Sequence, residues 1–243
     1  MLEKNIPVPD LSIRSTIAEE MDQEGVSLEA TELALREIST INKWLGGYTV
    51  ILRALERIEW PDRTMTIMDL GCGGGDTLRA IATWAAKKKK TVKLIGVDRN
   101  PIMTKYADSR SQQFHNITYM TMSVFDAVLL DIKADITMNS LFCHHFDNDE
   151  LVQLIRVMRQ IASHSVIIND IDRHWLAYYS IKMLTALFSN TYLVKYDAPL
   201  SVARSLNKAE WENIMQQSDV SHYSLRWMWA WRWQIIIPHN QLI

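Results

Sequence analysis

The sequence predicts an α/β protein built on a mainly parallel sheet with helices on both faces. Two observations carry that prediction. From residue 64 onward, short apolar and β-branched runs alternate with longer helical patterns, and such alternation closes most readily as parallel strands joined by crossover helices. Near the C-terminus, "HYSLRWM" and "AWRWQIIIP" lie close together, which predicts an antiparallel hairpin at one edge.

The elements follow in order. Residues 11–58 read as helical, with Leu28, Leu35, Ile38, Ile41 and Leu45 at near-helical intervals. Gly46-Gly47 breaks this segment and Pro61-Asp62 closes it. "TMTIMDL" (64–70), "VKLIGVD" (92–98), "ITYMTM" (117–122), "DITMNS" (135–140) and "SVIIND" (165–170) read as strands. Helices are expected at 76–86, at 101–113 with Pro101 in its first turn, at 147–162 behind an acidic start, at about 173–189 and at 208–217. In the last strand Trp229, Trp231 and Trp233 alternate with Ala230, Arg232 and Gln234, the period of a half-buried strand.

Composition narrows the function. A chain of 243 residues, 48% apolar and 22% charged, with net charge −2, has material for a sizeable core but no clustered cations to neutralise phosphates. No nucleic-acid partner is expected, and the run Lys87 to Lys90 reads as a solvated helix end. Two cysteines do not make a disulfide scaffold, "MLEKNIPVPD" has no apolar signal region, and no apolar run approaches a membrane span. A cytoplasmic location is the expectation, and the oligomeric state is open.

The loop "MDLGCGGGDT" (68–77) ends the first strand and opens the first helix of the alternating region. Its glycines allow close backbone approach to a ligand at a helix start. A dinucleotide fingerprint places its third glycine where Asp76 stands, and a carboxylate there repels pyrophosphate. Asp76 and Asp69 suit instead a ligand with an ammonium and a sulfonium, whose single carboxylate is held by backbone donors. S-adenosylmethionine carries those groups. Asp98, ending the second strand, is placed to accept both ribose hydroxyls, or else to cap the following helix.

"IMDLGCGGG", "GVDRNP" and the histidine-containing segment after strand four resemble class I S-adenosylmethionine-dependent methyltransferases, by motif order and spacing over roughly residues 60–170. "INKWLGGYTVI" (41–51) and "INDIDRHWLAYY" (168–179) resemble a bacterial subgroup associated with polyketide-type aromatic or quinone-like acceptors. The resemblance implies a Rossmann-like seven-stranded sheet, mainly parallel, with an antiparallel last strand. It implies an N-terminal helical lid over residues 1–60 and a cofactor-binding methyltransferase domain over 61–243. The methionine part of the cofactor falls to Asp69, Gly71 and Gly73, with Cys72 in the same loop, the ribose to Asp98, and the adenine to Arg99, Ser123, Val124 and Phe125. Asn139, at the end of strand four, joins the cofactor set. The family's acid after strand three is missing, so Ser123 or Asp126 must serve the adenine amine.

"LFCHHFDND" (141–149) supplies the candidate chemistry. Cys143, Asp147 and Asp149 are tempting additions for a metal, but adjacent histidines are expected to project apart and no metal-ligand spacing is present, so no metal is expected. His144, with His145 second, is the candidate proton acceptor for a phenol or enol. Asp170 is the candidate to orient it or to bind an acceptor hydroxyl. Asp172 reads as a helix cap, and Arg173 as a partner of Asp170 or of an acidic acceptor group. Trp44 and Tyr48, around the Gly46-Gly47 hinge, are candidates for an aromatic wall, and Tyr178 for acceptor contact. Together these imply methyl transfer from S-adenosylmethionine to an oxygen of a small, apolar, aromatic or polyketide-like molecule, leaving S-adenosylhomocysteine. The rival expectations are an NAD(P)-dependent oxidoreductase and a non-catalytic adenosylmethionine-binding partner protein.

Overall fold

Strand β1 (Met65–Leu70) is buried on both faces, as is β2 (Val92–Asp98), which is what a parallel strand covered by helices on each side requires. A computed structural model describes residues 9–239 apart from 24, 130 and 131. Five strands, β3 (Ile117–Thr121), β2, β1, β4 (Ala134–Ser140) and β5 (Ala162–Ile171), run parallel in that spatial order. The last two, β6 (Ser224–Met228) and β7 (Arg232–Pro238), are antiparallel, and β7 inserts between β5 and β6. The sheet is therefore seven-stranded, Rossmann-like and mainly parallel.

One face packs on α5 (Asn148–Ile161) and α8 (Lys208–Gln217) through Leu151, Ile155, Met158, Trp211 and Ile214. The other packs on α2 (Gly47–Leu55) and α3 (Asp76–Lys87) through Ile51, Leu55, Leu78 and Ile81. Helix α2 thus belongs to the sheet's own core and not to a lid. Asp147 and Glu150 close a capping box at the start of α5, so its acidic opening does local work. Strand order reverses between β1 and β4, and the carboxyl ends there open the crevice where this architecture binds ligands.

Three local expectations are corrected. The described residues from 11 to the start of α1 (Leu28–Trp44) hold no α-helix: with one 3₁₀ turn at Glu20–Asp22 they form a strap. Ser27 caps α1, and Glu19 and Asp22 upstream bond to other parts of the molecule. A helix α7 (Tyr192–Arg204) follows α6 (Trp175–Phe188), although Pro199 within it argues against one. The tryptophan alternation does not mark a half-buried strand. Residues 229–231 form the turn, and in β7 Arg232, Trp233 and Gln234 are all buried. Gln234 is satisfied there, its amide donating to Val50 O at 2.6 Å and its oxygen accepting from Arg57 at 3.1 Å. No helix among the described residues is long and apolar enough to cross a membrane. Residues 1–8 of the expected lid lie outside the described residues.

Candidate active site

The glycine loop turns through left-handed conformations at Gly71 (φ +81°), Gly73 (+48°) and Gly75 (+71°), which side chains other than glycine resist. The amides of Gly71 and Cys72 both donate to Val97 O, at 2.8 and 3.0 Å, tying the loop to β2. A Cβ at Gly71 would fall into the Phe142 ring, whereas one at Gly73 would meet nothing within 4 Å. The space beside Gly73 is the start of a cavity of about 520 Å³. The Gly73 amide donates to Asp98 Oδ2 at 2.9 Å, and Asn100 N donates to Oδ1 at 2.9 Å. Asn100, not Asp98, caps α4 (Pro101–Ser109). Asp98 keeps lone pairs for two further donors.

Two buried groups on this cavity lack partners among the described residues. Asp69 Oδ1 is one. Burial raises its pKa well above the ordinary carboxylate range, and the charges of Asp76 and Asp98 push it further. The guanidinium of Arg232 is the other. It donates to Asn42 Oδ1 at 3.1 Å, while its Nε and Nη1 are unmatched. Burial brings its pKa down to about 10, so it stays charged at neutral pH. An unmet carboxylate and an unmet guanidinium on one cavity fit the ammonium and carboxylate of an amino-acid end, beside an open glycine cradle. The residues present therefore suit S-adenosylmethionine. Asp76 is held by Tyr48 Oη at 2.7 Å and Asn42 Nδ2 at 3.4 Å.

A short turn, Cys143–His145, follows β4 and brings His144 and His145 to the cavity. His144 Nδ1 lies 2.7 Å from Asp170 Oδ1, and His144 N donates to Asp170 Oδ2 at 3.0 Å. Burial raises the pKa of Asp170, but His144 and the Ile171 amide more than offset it and hold the carboxyl below its ordinary value. His145 Nδ1 lies 2.7 Å from Asp22 Oδ2. Its pKa rises to about 9: burial works against the charged ring, and Glu19 and Asp22 outweigh it. The two imidazoles lie side by side, centroids 4.5 Å apart, so the expectation that they project apart is wrong. A 3₁₀ turn with both Nδ1 atoms anchored draws the rings together. Arg204 donates to His144 O at 3.1 Å and His145 O at 2.9 Å, and also to Ile17 O, clamping the strap over the turn.

Of the residues singled out in the sequence, Asp69, Gly71, Cys72, Gly73, Asp98, Arg99, Ser123, Val124, Phe125, His144 and His145 line this one cavity. Asp170 stands behind His144. Asp126 is exposed and off the cavity, which Ser123 lines. The others are placed elsewhere. Asn139 points under α5, donating to Met158 Sδ and accepting from Cys143 Sγ, both at 3.4 Å; strand parity gives the cavity Ser140 instead. Trp44 is 64% exposed and off the cavity. Tyr48 is a prop for Asp76. Arg173 is engaged by Glu210, Leu11 O and Ser205 O, not by Asp170. Tyr178 is buried with Ala177, Val202 and Ala203, while Ala177, Ile181 and Leu184 of the same helix face the cavity. His174, not Asp172, caps α6. Cys143, Asp147 and Asp149 bring no ligand to the histidines. Glu19 does, with Oε1 3.6 Å from His144 Nε2.

Sequence reasoning missed Glu19, Asp22, Asp197, Ser201 and Arg232. Asp197 and Ser201 are four apart in α7, a spacing that puts both on one face. Nothing in the local pattern marks Glu19.

Residues 67–165 match a family described as a methyltransferase domain. Fold, motif order and this match agree: the chain carries a methyltransferase domain over residues 67–165. No curated protein matches the sequence. Among solved structures, magnesium protoporphyrin IX methyltransferase from Synechocystis PCC 6803, with bound S-adenosylhomocysteine, is 15% identical with a TM-score of 0.53, covering 90% of each chain. Human N-acetylserotonin methyltransferase in complex with S-adenosylmethionine is 12% identical with a TM-score of 0.63, covering 88% of this chain and 57% of the human one. The CurJ carbon methyltransferase is 14% identical with a TM-score of 0.56, covering 79% of this chain and 52% of its own. The chain thus spans little more than half the length of the last two. At these identities the likeness is one of fold.

Proposed function

We propose that the protein transfers a methyl group from S-adenosylmethionine to an oxygen of a small, largely apolar acceptor of aromatic or polyketide-like character. The observation that carries this reading is the continuity of one cavity. It runs from the unmatched Asp69 and Arg232, past apolar walls, to the His144–Asp170 pair. Bound there, the cofactor supplies a methyl group activated by its positive sulfur for in-line displacement by the acceptor oxygen.

The chain's own residues do the rest. Asp69 binds the ammonium and Arg232 the carboxylate of the amino-acid end. Asp98 accepts from the ribose hydroxyls, and Ser123, Val124 and Phe125 border the adenine. Leu35, Ile38 and Ile41 of α1, with Ile181 and Leu184 of α6, wall the acceptor side and exclude water. Alignment is the larger share of such catalysis. His144, its Nδ1 fixed by Asp170, takes the proton of the acceptor hydroxyl at Nε2.

The test is calorimetric titration with S-adenosylhomocysteine beside NADH, followed by transfer of labelled methyl to a panel of phenols and enols. Nucleoside binding lost in Asp98→Ala, with label on oxygen, supports the reading. Binding of NADH alone overturns it.

A further inference from the structure

We propose that Glu19, His144 and His145 form a site for one divalent transition-metal ion of the zinc type. The strap carries the first of these residues and the turn after β4 the other two.

The distances leave room for an intervening ion. Glu19 Oε1 lies 3.6 Å from His144 Nε2, and Glu19 Oε2 lies 4.0 Å from His145 Nε2. Both are too long for hydrogen bonds. Ligand atoms about 2.0–2.2 Å from a shared zinc ion sit roughly 3–3.5 Å apart, so a small closure seats all three. One candidate atom from each residue already lies within 4.8 Å of the others.

The groups behind these atoms match as well. Each imidazole has its Nδ1 committed to a carboxylate at 2.7 Å, Asp170 for His144 and Asp22 for His145. That fixes the tautomer and turns Nε2 outward, as in carboxylate–histidine–metal arrangements. The Glu19 carboxylate is itself oriented, accepting from Ser201 Oγ at 2.8 Å. Arg14 and Arg204 hold the backbone carbonyls of the histidine turn. Two imidazoles alone would need two carboxylates for hydrogen bonding, and Asp170 and Asp22 meet that need. The third, Glu19, faces both Nε2 atoms and supplies the remaining ligand. Two nitrogens and one carboxylate select zinc-like ions over magnesium or calcium.

Three protein ligands leave a position open to the cavity. An acceptor hydroxyl bound there would lose its proton to solvent more readily; with the ion in place His144 Nε2 is a ligand and no longer takes that proton. That use rests on the proposed acceptor site. Metal binding does not.

The protein, stripped with a chelator, is titrated with cobalt(II) and zinc(II), reading visible cobalt absorption and heat. One equivalent of cobalt, displaced by zinc, is expected. Glu19→Gln and His145→Ala should each weaken binding about tenfold or more, and Asp22→Asn by about tenfold through His145. S-adenosylhomocysteine binding is the control for fold. Absence of binding by wild-type protein that still binds the nucleoside overturns the proposal, as does binding indifferent to Glu19→Gln. If His145→Ala does not fold, Glu19→Gln decides alone. Metal bound at this site with no methyl acceptor found would sink the proposed function and leave the metal site standing.

Discussion

Asp170 accepts three hydrogen bonds from two neighbouring segments, from His144 N, His144 Nδ1 and the Ile171 amide, at 3.0, 2.7 and 2.7 Å. It is fully buried. The carboxylate thereby fixes both the backbone and the ring of His144. Asn in its place keeps an acceptor but turns two N–H groups toward existing donors. Asp170→Asn is expected to cost about 2–4 kcal/mol of stability, measured by denaturant unfolding. It should lower methyl transfer well beyond any loss of S-adenosylhomocysteine affinity. Equal losses in both would show that Asp170 only supports the fold.

Asp69 and Arg232 make a second prediction. S-adenosylhomocysteine has an amino-acid end, and 5′-methylthioadenosine lacks it. Asp69→Asn and Arg232→Met should each weaken binding of the first by about 10–100-fold, as loss of a charge-assisted contact does, and leave the second nearly unchanged. pH adds a sign. Asp69 has a raised pKa in the folded protein, so below it the group is neutral and attracts no ammonium. Affinity for S-adenosylhomocysteine should therefore rise with pH through that pKa, and Asp69→Asn should flatten the profile. For the ligand-free protein the same shift means stability falls as pH rises from the ordinary carboxylate value toward the raised one. Equal losses for both nucleosides would refute this assignment.

The glycines separate fold from binding. At Gly71 a methyl group meets the Phe142 ring and a left-handed backbone; at Gly73 it meets only the backbone penalty and the open cradle. Gly71→Ala should lower the melting temperature markedly. Gly73→Ala should cost about 1–2 kcal/mol for the left-handed conformation and abolish nucleoside binding in a folded protein. Circular dichroism with parallel calorimetry decides. Intact binding in Gly73→Ala would mean that the cradle is not where the ligand lies.

The contrast between these residues explains what could be read in the chain. Strands such as Val92–Asp98 and the loop through Gly71 and Gly73 have strong local signatures: apolar runs, glycines, a helix start. They place Asp69, Asp98 and the turn after β4 on one rim without tertiary information. Glu19 and Arg232 have no such signature. Glu19 reaches the histidines because the strap is fixed from outside, by Arg204 on Ile17 O and by Asp197 accepting from the Glu20 and Met21 amides. Arg232 reads as the outward member of an alternating strand, and its burial follows from insertion of β7 between β5 and β6 beneath α2. Tyr48 and Arg173 failed as acceptor contacts for the converse reason. Their motifs are real, but their polar atoms are taken by Asp76 and by Glu210.

Arg173 gives the last prediction. Its guanidinium forks onto Glu210 at 2.6 and 2.8 Å and donates to Ser205 O at 2.6 Å and Leu11 O at 3.0 Å. Glu210 also closes the capping box of α8 with Asn207. The residue therefore joins the strap, the end of α7 and the start of α8. An ammonium cannot reproduce a planar fork with this many partners, so Arg173→Lys should already lower the melting temperature. Arg173→Met leaves two carbonyls and a partly buried carboxylate short of donors, at a cost of about 3–5 kcal/mol. At about 2–4 °C per kcal/mol for a chain of this size, that is a drop on the order of 10 °C. Below the transition, nucleoside affinity and acceptor KM should stay near wild type. A lysine variant that melts normally but accepts a different set of acceptors would return Arg173 to the cavity and overturn its assignment as a structural tie.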